Sequence, residues 1–115
     1  MARVVVSAAV QATAQDVRLL VSVSGAADGL PRSGLLAANF DVVSVASGED
    51  PTPRQQLIAQ AVEGPAGVYQ LVLDENDQPS TLMPRMVIFA ITVIGDTASG
   101  WADDRGQTIA VNSTP

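Results

Sequence analysis

Arg85-Met86-Val87-Ile88-Phe89-Ala90-Ile91-Thr92-Val93-Ile94-Gly95 is the most regular stretch of the chain. Between Met86 and Ile94 only Thr92 is polar. Most of the residues there are Val, Ile or Thr, whose branched Cβ suits a pleated backbone. The run is too short to cross a bilayer as a helix, and it reads as a strand over residues 85–95. Strand side chains alternate between two faces. Val87, Phe89, Ile91 and Val93 form one set; Met86, Ile88, Ala90 and Ile94 form the other. Phe89 is the largest side chain of the stretch and assigns its own set to a core. The second set is apolar too, whereas a sandwich strand usually turns its second face to water. That face needs cover, either from a loop carrying Leu82 or Trp101 or from a partner subunit. Met86, Ile88, Ala90 and Ile94 are therefore the candidate interface residues.

The rest of the chain repeats this rhythm more weakly. Short β-branched segments alternate with clusters of Gly, Pro, Asp and Asn, which is the pattern of an all-β sandwich or barrel. Strands are expected over residues 3–11, 16–24, 39–46, 68–74, 85–95 and 107–112. In the second, Val17, Leu19, Val21 and Val23 face one way and Arg18, Ser22 and Ser24 the other. Tyr69, Leu71 and Leu73 alternate with Gln70 and Asp74 in the same manner. Residues 54–63 carry two competing signals. Thr52-Pro53-Arg54-Gln55 fits a helix start, and Leu57, Ile58, Ala61 and Val62 form a helical stripe. Ile58 and Val62 also alternate with glutamines, and Gly64-Pro65-Ala66-Gly67 fits a hairpin loop into the next strand. The hairpin favours a seventh strand.

Composition narrows the chemistry. The 115 residues make one domain, 1–115, large enough for a core without staples. Apolar residues form 47% of the chain and only 3% is aromatic, so the core should be aliphatic. There is no histidine, cysteine or lysine. No imidazole base, thiolate, Schiff-base amine or soft metal ligand is therefore available. The net charge is −6, and the six arginines stand in six separate places, which argues against nucleic acid and anionic membranes. Absent cysteine excludes a disulfide scaffold. No signal peptide or spanning segment is visible, which favours the cytoplasm or a particle. Abundant Ala, Val, Asp and Arg without Lys fits GC-rich bacterial coding.

Three local patterns invite a functional reading. Asp74-Glu75-Asn76-Asp77 and Asp103-Asp104 offer oxygen ligands but lack the spacing and central glycine of a calcium loop, so solvated turns are expected. Asp96-Thr97-Ala98-Ser99-Gly100 resembles the Asp-Thr-Gly loop of aspartic proteases, yet Ala98 occupies the place of the glycine that the paired-acid turn needs. Asn112-Ser113-Thr114 matches a glycosylation sequon by pattern alone. No catalytic residue, cofactor site or metal site is assigned.

Turn motifs add a resemblance. Gly34-Leu35-Leu36-Ala37-Ala38-Asn39-Phe40 resembles the entry into a strand of bacterial immunoglobulin-like domains. Gly64-Pro65-Ala66-Gly67-Val68-Tyr69-Gln70-Leu71 is similar to their Pro-Gly-x-Tyr-x-Leu hairpin exit, and Asp104-Arg105-Gly106-Gln107-Thr108 to the turn into their last strand. The likeness spans about residues 15–112 and consists of turns, not sites. It departs from antibody-type domains in lacking the paired cysteines and the mid-strand tryptophan. Leu35 and Phe40 can plug one end of the core, and Tyr69 can bury its ring with its hydroxyl at the edge.

The resemblance and the periodicity together imply an immunoglobulin-like antiparallel β-sandwich of about seven strands. The functional expectation is a non-enzymatic structural or interaction module that self-associates or belongs to a larger assembly. Its partner is protein, with no nucleic acid, no membrane insertion and no cofactor. A different class of function is a ligand-binding module, such as an adhesin or carbohydrate-binding domain. Trp101, Asp103, Asp104 and the turn over 74–78 would then make the contacts. The placement of Trp101 separates the two readings.

Overall fold

Apolar alternation becomes strand almost everywhere the sequence carries it. The computed structural model describes residues 3–12, 17–46, 53–73, 86–102 and 104–113. They form β1 (Val4–Ala12), β2 (Val17–Gly25), β3 (Phe40–Ala46), β4 (Arg54–Gln56), β5 (Ile58–Glu63), β6 (Val68–Leu73), β7 (Met86–Ile94) and β8 (Arg105–Ser113). A short 3-10 turn, Ala37–Asn39, precedes β3. Two four-stranded sheets result, in the orders β1-β2-β6-β5 and β4-β3-β7-β8. Every ladder within them is antiparallel.

The described residues hold eight strands rather than the seven expected, and the difference arises at residues 54–63. These residues are extended, not helical, but they do not make one strand. Arg54–Gln56 pairs with β3 in the second sheet, whereas Ile58–Glu63 pairs with β6 in the first. The chain passes from the edge of one sheet to the edge of the other at Leu57. The helical stripe is not used: Leu57 and Val62 are 56% and 43% exposed. Hydrogen bonding at two sheet edges replaces the burial that a helix face would have needed. Gln56 turns inward and its amide donates to the Ser44 hydroxyl at 2.8 Å, fixing the short β4 against β3.

Both sheets contribute to one aliphatic core. Leu19, Val21, Val23, Tyr69, Leu71 and Leu73 from the first sheet meet Phe40, Val42, Phe89, Ile91 and Val93 from the second. Val87, Phe89, Ile91 and Val93 are 0–3% exposed, so β7 turns inward the set that Phe89 belongs to. Leu35 and Phe40 are buried at one end, and Phe40 packs on Tyr69 with ring centroids 5.2 Å apart. One flank of the sandwich is shut where β1 meets β8, through a parallel bridge between Arg3 and Arg105. Gly106 permits that approach: a Cβ there would lie 2.5 Å from the Val4 carbonyl oxygen.

Removing the Phe89 ring leaves a cavity at a site with no exposed surface through which to collapse. Phe89→Ala should cost about 3–5 kcal/mol, read as a lowered midpoint in urea unfolding followed by circular dichroism.

Candidate functional site

The outward residues of the β4-β3-β7-β8 sheet follow directly from its register. Ile88 lies between Val45 on β3 and Val111 on β8, and Ala90 lies between Val43 and Ile109. These six side chains form two adjacent rows across three strands. Ile88, Ile109 and Val111 are 36%, 60% and 51% exposed, and Val43, Val45 and Ala90 are half-buried. The next row is polar: Asp41, Thr92 and Gln107. Beyond it Ile94, exposed, stands beside Arg105. On the β4 side the Gln55 amide donates to the Asp41 carboxylate and to the Val42 carbonyl.

Two of the four candidate interface residues, Ile88 and Ala90, thus lie inside one continuous apolar patch. Ile94 is cut off from it by the polar row. Met86 pairs with Ser113 at the other end of β7, and its side chain lies outside the described residues. Val43, Val45, Ile109 and Val111 complete the patch and are not singled out by the sequence. Each has outward parity on its own strand, but only the pairing of strands brings them beside Ile88 and Ala90. Two loop residues are expected as cover. Leu82 lies outside the described residues, and Trp101 is engaged elsewhere.

Trp101 belongs to a knot of loops at one end of the sandwich, built around Arg32. The Arg32 side chain is buried, and its Nε donates to the Asp104 carboxylate at 2.9 Å. Its Nη1 reaches Asp28 at 3.4 Å and the Leu30 carbonyl at 3.2 Å. The guanidinium also sits 4.5 Å from the centroid of the Trp101 ring. The Trp101 indole N–H donates to the Ser33 carbonyl at 2.6 Å. Asp104, a candidate ligand contact from the sequence, is only 8% exposed and serves as the counter-charge of a buried arginine. Asp103 and the turn over 74–78 lie outside the described residues.

The same knot absorbs the other acids and amides nearby. Tyr69 donates its hydroxyl proton to the Arg32 carbonyl and accepts from the Leu35 N–H at 3.1 Å. Burial pushes its phenol above the ordinary value. Glu63 accepts from the Gly67 N–H at 2.9 Å and the Gly34 N–H at 3.1 Å. These amides, Gly67 first, hold its carboxyl below the ordinary value of 4.5. Asn39 donates to the Ile94 carbonyl and accepts from the Leu36 N–H, pinning the turn before β3 to the end of β7. Asp96 closes its own turn by accepting from the Ser99 N–H at 2.8 Å, the main cause of its lowered pKa. The segment resembling a protease loop is thus a self-capped turn.

Among the described residues no three acids gather as a metal site. A shallow hollow on the outer face of the other sheet is lined by Ser7, Ala8, Ala9, Leu20, Ser22 and Val68, with no charged group. Among the described residues no helix is long and apolar enough to cross a membrane. No family model matches the chain, and no curated protein or solved structure matches it significantly.

The loop knot can be tested at two of its acids. Asp104→Asn removes the closer and more buried of the two carboxylates paired with Arg32 and should cost about 3 kcal/mol in urea unfolding at neutral pH. Glu63 has a folded-state pKa below its unfolded one. Its contribution is therefore present above the ordinary value of 4.5 and is lost as pH falls through the lowered folded value. Glu63→Gln should be less stable than the parent at pH 7, and the gap should close on acidification. A constant gap across that range would show that the carboxylate charge is not what matters.

Proposed function

We propose that this chain is an immunoglobulin-like β-sandwich acting as a non-enzymatic structural module, and that it self-associates through the outer face of the β4-β3-β7-β8 sheet. The strand orders support the immunoglobulin-like reading. With strands lettered in chain order, β1-β2-β6-β5 corresponds to the ABED sheet of that family, and β3-β7-β8 to CFG, with β4 as a short added edge.

The observation that carries the functional reading is the apolar patch on the three long strands of the second sheet. Isolated exposed apolar residues are ordinary, but contiguous ones across a sheet face mark a surface that meets another. Two features favour a module without catalysis. The chain has no imidazole, thiol or amine side chain. Its acids Asp28, Glu63, Asp96 and Asp104 are engaged with the arginine or the backbone amides that shape the loops. The ligand-binding reading weakens for the same reason: Asp104 is buried against Arg32, and half-buried Trp101 spends its indole N–H on the Ser33 carbonyl and one ring face on the guanidinium.

Sedimentation velocity over the micromolar range tests the proposal. The chain should show a concentration-dependent species heavier than the 11.8 kDa monomer. Ile88→Asp should keep the circular dichroism spectrum and leave the monomer alone. A parent protein that stays monomeric throughout the range would refute self-association. An Ile88→Asp variant that unfolds would place this face within the fold of one chain.

A further inference from the structure

The patch has a polarity across the strands that restricts how two copies can meet. Asp41 stands on β3, on one side of β7, and Arg105 stands on β8, on the other. Both side chains are exposed, both point to the outer face, and neither has an ion-pair partner among the described residues. Along the strands the order is two apolar rows, then the polar row Asp41–Thr92–Gln107, then Arg105 beside Ile94.

Resting on the self-association proposed above, we infer that the partner is a second copy related by a two-fold axis parallel to the strands. The axis lies between the facing sheets and runs over β7. This operation keeps each row at its own height and exchanges left for right. Apolar rows then cover apolar rows, with Ile88 against Ile88 and Ala90 against Ala90. β3 of one copy covers β8 of the other. Asp41 comes to lie over Gln107 of the partner subunit, with Arg105 of the partner subunit at the next outward position of the same strand. That step is about 6.6 Å along a strand, within the reach of an arginine side chain. The symmetry repeats the contact, so each dimer carries two such pairs.

The competing in-plane axis, perpendicular to the strands, lays β3 on β3 and β8 on β8. It never brings Asp41 to the strand that carries Arg105. Charge complementarity therefore selects the parallel axis. Size sets the strength expected of a face-to-face pair. The nine-residue strands β7 and β8 are about 30 Å long, and the sheet is about 15 Å wide. The projected face of about 450 Å² is smaller than the roughly 800 Å² per partner of a standard stable complex, which fits a weak, concentration-dependent dimer.

Charge reversal tests the arrangement. Asp41→Arg places two like-charge contacts in its homodimer, and so does Arg105→Asp. Each variant alone should dimerise about tenfold more weakly than the parent at low ionic strength. An equimolar mixture should recover parental affinity, because both contacts of the mixed dimer again join a carboxylate to a guanidinium. Sedimentation equilibrium of each variant and of the mixture reads this out, and recovery also shows that both variants are folded. Weakening without recovery, or no weakening at all while Ile88→Asp still breaks the dimer, overturns the parallel axis and leaves self-association standing. A parent that is monomeric at every concentration overturns both.

Discussion

Strand β7 is apolar on both faces but buries only one of them, and its place between β3 and β8 fixes which. Its inner set, Val87, Phe89, Ile91 and Val93, is fully enclosed between the two sheets. Its outer set lies in the middle of the other sheet face, flanked by β3 and β8. A central strand cannot change this by slipping, because a one-residue shift would exchange the two sets, turning Phe89 outward and bringing Thr92 inward. Hydrophobicity on the outer side is therefore not a by-product of the core. It is an independent feature, and Val43, Val45, Ile109 and Val111 extend it onto both neighbours.

The polar residues do a different job. At one end of the sandwich, Arg32 joins the β2–β3 connection to the β7–β8 loop through Asp104 and Trp101. Tyr69 and Glu63 tie the same connection to β6 and to the hairpin before it. A buried arginine is costly unless its donors are matched, and here two carboxylates, a carbonyl and an aromatic face match them. Two glycines make the packing feasible. A Cβ at Gly25 would collide with the Arg32 guanidinium, and Gly67, at φ +77, lies against Pro31 and the Val23 carbonyl. The loops are thus held by charges and hydrogen bonds that leave little for an external ligand.

How far the sequence reveals this depends on the range of each interaction. The two faces of β7 are legible because alternation and side-chain size are local. The same holds for β2 and β6. The division of residues 54–63 is not legible, since a period of two serves either sheet and no Gly or Pro marks the crossing at Leu57. The full apolar patch is half legible: β7 shows its own share, but the neighbours depend on which strands pair. The Arg32 knot is hidden altogether. Its ion pair joins residues 72 apart in sequence, and the Trp101–Ser33 bond spans 68. Asp104 reads as an exposed turn acid because the residue that buries it comes from a distant loop.

Edges and faces offer different routes to association, and this fold restricts the first. Unpaired strand edges invite open-ended growth. Here β1 and β8 bridge each other, β4 has three residues, and β5 is interrupted by an irregularity between Ile58 and Gln60. The short β4 and the irregular β5 present no long, flat row of backbone groups, while β1 and β8 meet each other at the Arg3–Arg105 bridge. The apolar surface sits on a face, where a contact would be made by side chains and where the proposed two-fold operation would consume the patch on both copies. An isologous contact of this kind closes after two copies, whereas a heterologous one would propagate. If the proposed contact forms, it therefore ends at the dimer rather than growing into a polymer.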